Sequence, residues 1–197
     1  MIAELLSGFI TQFISSIGYI GVFILMTLES AALPVPSEVV MPFAGYLAYL
    51  KKFDLFLISI VGAVGCTAGS LISYYVGLKG GRPFIEKYGR YLFIESSHIE
   101  LAETWFRKYG DRAVLFSRLL PVVRTFISLP AGIGKYDLKK LVTFSFIGSL
   151  PWCFALAYVG FSLGPSWENI IGFFNGLDII VVAAVIMIIL YYWKLKK

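Results

Sequence analysis

Charge is what this chain has least of. Asp, Glu, Lys and Arg make up 15% of its 197 residues, against roughly 25% in soluble domains. They are kept out of four long apolar blocks: Leu5 to Leu28, Leu55 to Leu78, Leu141 to Trp167, and Asn169 to Trp193, the last broken only by Asp178. A helix needs about 20 apolar residues to cross the hydrocarbon core, and each block supplies them. A soluble class is thereby excluded, and the expected fold is an all-α polytopic membrane protein with one domain, residues 1–197. Histidine is nearly absent. With His98 alone, a His-rich metal site is excluded and a Cys/His cluster lacks ligands, so neither metal nor cofactor is expected. Cys66 and Cys153 both fall mid-block and read as small buried residues. The N-terminus has no basic segment and no small-residue cleavage site, carries Glu4 instead, and is expected to remain as a helix. There is no Gly-x-Ser-x-Gly, zinc or nucleotide motif, and the chain is not expected to be an enzyme.

The net charge of +5 reads as topology, with no nucleic-acid partner. The basic residues gather at Lys79 to Arg112, Lys135 to Lys140 and Lys194 to Lys197, while the turn from the third block into the fourth has no Lys or Arg, only Glu168 and, within the fourth block, Asp178. The positive-inside rule puts the three basic regions in the cytoplasm. Both termini are then cytoplasmic, in a multi-pass protein of the plasma membrane. Lys51 and Lys52 are the exception to the rule.

Two apolar segments are too short or too broken to span. Val39 to Leu50 follows the run Leu33-Pro34-Val35-Pro36-Ser37 and would measure about 18 Å as a helix. Ala113 to Gly134 contains Pro121 and Pro130, each of which removes a backbone donor. Both segments, residues 34–50 and 113–134, are expected to be re-entrant, with Pro34, Pro36, Pro121 and Pro130 as the breaking residues. Non-helical backbone at that depth must be buried in protein or line a wet cavity. An internal repeat joins the two. Lys52-Phe53-Asp54-Leu55 matches Lys135-Tyr136-Asp137-Leu138, and Tyr75-Val76-Gly77 matches Tyr158-Val159-Gly160, at an offset of 83; Ala44-Gly45 matches Ala131-Gly132, and Pro34 matches Pro121, at 87. Counting crossings puts the two hairpins on opposite faces, an inverted repeat with about four spanning helices, which is a transporter signature.

The stretch from Lys79 to Arg112 reads as a soluble-facing loop that carries one amphipathic helix. Ser97 to Glu100 resembles a capping box, Ile99, Ala102, Trp105, Phe106 and Tyr109 recur at helical spacing, and Gly110 can end the helix. It lies either on the cytoplasmic leaflet or against its own protein. Gly62, Gly65 and Gly69 share one face of the second block and read as helix packing; that face is the only motive in the sequence for an oligomer. Asp54 and Asp137 read as helix caps.

The candidate site is four charges in apolar surroundings. Arg118 and Arg124 sit six residues apart in the second broken segment, where charge costs several kcal/mol unless it is paired or hydrated. Guanidinium groups offer bidentate recognition of phosphate or carboxylate; alternatively they snorkel or clamp hairpin carbonyls. Glu29 ends the first block, as a functional acid or one at interface level. Glu38 opens the first hairpin, where an acid also suits a helix start. An acid placed between low dielectric and an arginine can switch its proton near neutral pH.

These residues resemble a known family. Phe116-Ser117-Arg118-Leu119-Leu120-Pro121-Val122-Val123-Arg124-Thr125-Phe126, followed by Ala131-Gly132, is similar to one signature of the DedA family, prokaryotic relatives of the eukaryotic VTT-domain proteins. Leu28-Glu29 with Pro34-Val35-Pro36-Ser37-Glu38 and Ala44-Gly45 resembles its other signature, although many members have Gly-Asp where this chain has Ser37-Glu38. Tyr88-Gly89, Trp105-Phe106 and Lys108-Tyr109-Gly110 fit the loop between, so the resemblance covers about residues 15–165. It implies two opposed re-entrant hairpins and a lipid flippase or scramblase. The cargo implied is a phosphate-bearing lipid, polyprenyl (undecaprenyl) phosphate or phosphatidylethanolamine. Arg118 and Arg124 are then expected to bind the phosphate, Glu29 and Glu38 to pair with them, and protons to couple transport. A proton-coupled exporter of small ions or drugs is the alternative; an intramembrane hydrolase using the acids is a third class.

Overall fold

The structure, a computed structural model, describes residues 2–33, 35–92, 96–118 and 121–164, with backbone alone for 2–7, 82–92, 96–103, 105, 107, 121 and 122. Pro34, the fourth apolar block and the side chains of the expected capping box lie outside the described residues. Eight α-helices and no strands are found among them: α1 Ile2–Ile17, α2 Tyr19–Ser30, α3 Ser37–Tyr49, α4 Leu55–Leu92, α5 Ser96–Ser117, α6 Pro121–Phe126, α7 Ser128–Ile133 and α8 Leu138–Ser162. Two of them, α4 over Leu55–Gly81 and α8, are long and apolar enough to cross a membrane.

Several sequence expectations are corrected. The first apolar block is two helices, because Gly18 takes φ +71° and ψ −139°, a region open to glycine and costly for any side chain. The stretch from Lys79 to Arg112 is not a loop: α4 stays helical for 38 residues, about 57 Å at 1.5 Å per residue. Gly110 does not end α5, which runs on to Ser117. A Cβ on Gly110 would instead lie 2.6 Å from the Tyr136 ring, so the glycine serves a close ring contact. Residues 113–117 therefore complete α5, since no breaker precedes Arg118. Pro130 does not break its segment either. Ile127 keeps φ −58° and ψ −29° between α6 and α7, and the bonds from Ile127 N–H to Val123 O and from Ala131 N–H to Ile127 O carry the turn through. Pro121 opens α6, where its missing N–H costs nothing, and Pro36 is the N-cap of α3.

The internal repeat has structural counterparts. Asp54 Oδ1 accepts from Leu57 N–H and Asp137 Oδ1 from Lys140 N–H, both at 2.8 Å, so α4 and α8 start on the same side-chain cap. The segments before them end alike. Lys51 and Lys135 take φ 59° and 49°, and the N–H groups of Lys52 and Tyr136 reach back five residues to Leu47 O and Ala131 O, a Schellman closure. The aromatic pairs Tyr19–Phe53 and Phe106–Tyr136 then meet with tilted rings, their centroids 4.5 and 6.0 Å apart. Asp54→Ala and Asp137→Ala are each expected to cost about 1 kcal/mol of stability, read as matched drops in detergent melting temperature.

Four glycines bring the halves together. A Cβ on Gly45 would overlap the Ala157 carbonyl, and one on Gly160 the Pro42 carbonyl, where α3 crosses α8. A Cβ on Gly132 would overlap Tyr74 O, and one on Gly77 Leu129 O, where α7 crosses α4. At the repeat offsets Gly45 corresponds to Gly132 and Gly77 to Gly160, so each broken segment lies on the long helix of the other half. The glycine face of α4 is used within the chain: Gly65 faces Phe23 O of α2, Gly69 faces Thr27 O, and Gly62 meets Met41 Sδ of α3. One apolar core gathers Ile14, Met26, Val40, Met41, Ile58 and Ala157; a second gathers Tyr74, Val114, Ala131 and Leu141.

Candidate functional site

The breaks between helices bring the charged residues together. Glu29 lies on the last turn of α2, which closes by a bond from Leu33 N–H to Leu28 O. Arg124 lies in α6, and Arg118 at the turn between α5 and α6. Arg118, Arg124 and Glu29 are 1%, 3% and 5% exposed, so each must find partners inside the protein.

Arg124 Nη2 donates to Glu29 Oε2 at 2.8 Å, a buried salt bridge between residues 95 apart in the chain. The same nitrogen lies 3.7 Å from Cys66 Sγ on α4. The guanidinium carbon stands 5.5 Å from the ring centre of Trp152 on α8, within cation–π range. Arg124 is thus held between α2, α4 and α8.

Arg118 has no acid partner among the described residues. Its Nη1 donates to the Arg124 carbonyl at 2.6 Å, and its Nη2 to Ser128 Oγ at 2.9 Å and Ser145 Oγ at 2.7 Å. It therefore clamps α6, α7 and α8, the carbonyl-clamp alternative raised from the sequence, and it orients Arg124 by holding its backbone. Its stem passes α8 at Gly148, where a Cβ would lie 2.8 Å from Arg118 Cβ. Glu38, on the first turn of α3, is half-buried and accepts from Ser37 Oγ at 3.3 Å. No ion pair joins it to an arginine among the described residues.

Three N–H donors at this site are buried and meet no acceptor among the described residues: Arg118 Nε, Arg124 Nη1 and Trp152 Nε1. Unsatisfied buried donors are rare and costly. Among the charges buried to this depth, two guanidinium groups face the single Glu29 carboxylate, with Glu38 half-buried nearby. An acceptor-rich anion answers both conditions.

Sequence reasoning missed Trp152, Cys66, Ser128 and Ser145. The serines had a signal: a hydroxyl within an apolar run needs a partner, and Ser128 and Ser145 both lie in such runs. Trp152, one among many aromatics in α8, had none.

The VTT domain family matches residues 35–162, the region that contains α3 to α8. A protein named undecaprenyl phosphate transporter A from Bacillus subtilis (strain 168) is 36% identical over 191 residues, 95% of this chain and 93% of its own. One of the same name from Staphylococcus aureus is 30% identical over 187 residues, 93% of this chain and 92% of its own. Protein DedA of Escherichia coli (strain K12) is 24% identical over 132 residues, 66% of this chain and 60% of its own. No solved structure matches significantly. The chain belongs to the DedA family of VTT-domain membrane proteins.

Proposed function

We propose that this protein moves a phosphate-bearing lipid between the leaflets of the cell membrane, with Arg124 as the receptor for the phosphate. The observation that carries the reading is the buried Glu29–Arg124 pair at 2.8 Å, set beside three N–H donors without acceptors. An anionic headgroup crosses hydrocarbon only if a cation receives it, because an unpaired charge there costs several kcal/mol. The relatives named undecaprenyl phosphate transporter A support polyprenyl phosphate as the cargo; phosphatidylethanolamine carries the same phosphate.

The mechanism is an exchange of partners. With no lipid bound, Glu29 neutralises Arg124. A proton on Glu29 releases the guanidinium, whose fork matches phosphate oxygens, and loss of the proton re-forms the pair and expels the headgroup. Glu38, half-buried on α3, is the second acid of the relay. Arg118 contributes its Nε to the phosphate while its two Nη groups hold the hairpin. Pro36 and Pro121 set where the segments break, and Pro130 thins the backbone bonding of α7.

In this reading α3 and α6–α7 are re-entrant hairpins entering from opposite faces, related by an inverted repeat. The reciprocal glycine crossings of α3 on α8 and α7 on α4 support it, since each broken segment packs on the long helix of the other half, an exchange consistent with an inverted repeat. At about 57 Å, α4 exceeds a hydrocarbon core of roughly 30 Å, so its Lys- and Arg-bearing C-terminal part stands in the cytoplasm, with both termini on that side.

The test is transbilayer movement of labelled polyprenyl phosphate in liposomes holding the purified protein, with and without a pH gradient. Movement that a gradient accelerates in wild type, and that Glu29→Gln makes gradient-independent, is the expected result. Lipid movement indifferent to the gradient in both proteins would sink proton coupling. A gradient-driven flux of small ions without lipid movement would favour the exporter reading.

A further inference from the structure

Two cavities lie at corresponding places in the repeat, and neither is lined by Arg118 or Arg124. One, of about 380 Å³, lies at the start of α8 and is lined by Lys135, Lys140, Tyr136, Asp111 and Asp137. The other, of about 640 Å³, lies at the start of α4 and is lined by Lys51, Lys52, Asp54, Tyr19, Phe53 and Phe161. The aromatic walls correspond: Phe106–Tyr136 in one, Tyr19–Phe53 in the other.

Their charges do not correspond. In the α8 cavity two lysines face two carboxylates. Lys140 Nζ binds Asp111 Oδ2 at 2.8 Å, and with the Tyr136 hydroxyl it holds that carboxyl below the usual range. In the α4 cavity two lysines face one carboxylate, Asp54, which caps Leu57 N–H as Asp137 caps Lys140 N–H; the α4 cavity has no second acid to match Asp111. Lys51 and Lys52 are exposed and neither meets an acid among the described residues. Lys51 also keeps a left-handed backbone, φ 59°, at the position after a helix where glycine is the usual residue. Lys135 shares that backbone in the α8 cavity, φ 49°, so the two cavities differ in their acids and not in their backbone. Lys51 and Lys52 are the exception to the positive-inside pattern.

We propose that the α4 cavity is a docking site for the phosphate headgroup of a lipid before it reaches Arg124. Lys51 and Lys52 take the phosphate, and the exposed rings of Phe56 and Phe161 lie along the first part of the hydrocarbon tail. Lysine suits capture and release: its ammonium is a point charge on a flexible stem, without the planar clamp of arginine. The proposal rests on the reading of the chain as a phosphate-lipid transporter, and it makes the end that carries Lys51 the loading end.

Two measurements on the full chain test it. Native mass spectrometry counts polyprenyl phosphate retained from mixed detergent micelles, and liposome transport gives the half-saturating lipid fraction. Each lysine near a membrane surface is expected to contribute about five-fold in capture. Lys51→Gln with Lys52→Gln should therefore lose most retained lipid and raise half-saturation by more than ten-fold, with the maximal rate unchanged; the double arginine variant should restore both. Lys51→Gly should raise the melting temperature yet weaken capture, which separates docking from folding. Retention and half-saturation equal to wild type in the double glutamine variant overturn the proposal. So does a lipid that remains bound while millimolar inorganic phosphate protects Lys51 and Lys52 from amine labelling, because the cavity would then take the free anion. If the wild type moves no lipid, the transporter reading fails, and the retention comparison still decides the docking site.

Discussion

Arg124→Ala is expected to stop lipid movement and to destabilise the protein by about 3–5 kcal/mol, the usual cost of leaving one member of a buried ion pair behind. Glu29, 5% exposed, would then keep no hydrogen-bonded cation, because Arg118 is committed to the Arg124 carbonyl and two serines. The two losses have different origins, and the double variant Arg124→Ala/Glu29→Ala separates them. Removing both charges removes the unpaired carboxylate, so much of the stability should return. Transport should not return, since no guanidinium remains to receive the phosphate. Melting temperature and liposome transport, measured on the three proteins together, check both halves. Recovery of transport along with stability would mean that Arg124 serves only to neutralise Glu29.

The second large effect concerns glycine. Gly45→Ala should abolish accumulation of folded protein, and Gly132→Ala should do the same, because in each case the added Cβ meets a carbonyl of the helix being crossed, Ala157 O or Tyr74 O. Backbone cannot swing aside as a flexible side chain can, so α3 would have to lift from α8, or α7 from α4, with loss of several kcal/mol of packing. Gly80→Ala is the control. A Cβ there has no neighbour within 4 Å, and alanine in a helix is favoured over glycine by about 1 kcal/mol, so this variant should be neutral or slightly stabilised. Yield of monodisperse protein on a sizing column distinguishes the three. Equal yields would mean that the α3·α8 and α7·α4 crossings are looser than their geometry indicates.

What was legible in the sequence depended on signals that survive without tertiary context. The uncharged runs Leu55 to Leu78 and Leu141 to Trp167 announced α4 and α8, since length and hydropathy suffice for a spanning helix. Asp54 and Asp137 announced their caps, a short-range bond to an N–H three residues on. The repeated Ala-Gly and Tyr-Val-Gly strings marked the residues that meet at the two crossings, although the sequence could not say that each half would lie on the other. The break at Gly18 was hidden because hydropathy carries no information about φ. The length of α4 was hidden because the apolar run stops at Leu78, while the helix continues through charged residues to Leu92. At the site, the four charged residues stood out by cost alone. Their partners did not: the 95-residue separation of Glu29 and Arg124, the serines that hold Arg118, and the Trp152 ring beside Arg124 are all set by how the helices cross.

In the proposed mechanism Arg124 receives a phosphate. The measurement that tests it most directly is the transbilayer rate of polyprenyl phosphate against that of the corresponding polyprenol, in the same liposomes with the same protein. The account predicts rapid movement of the phosphate-bearing lipid, slow movement of the alcohol at the protein-free rate, and loss of the difference in Arg124→Ala. Equal, protein-dependent movement of both lipids would contradict it.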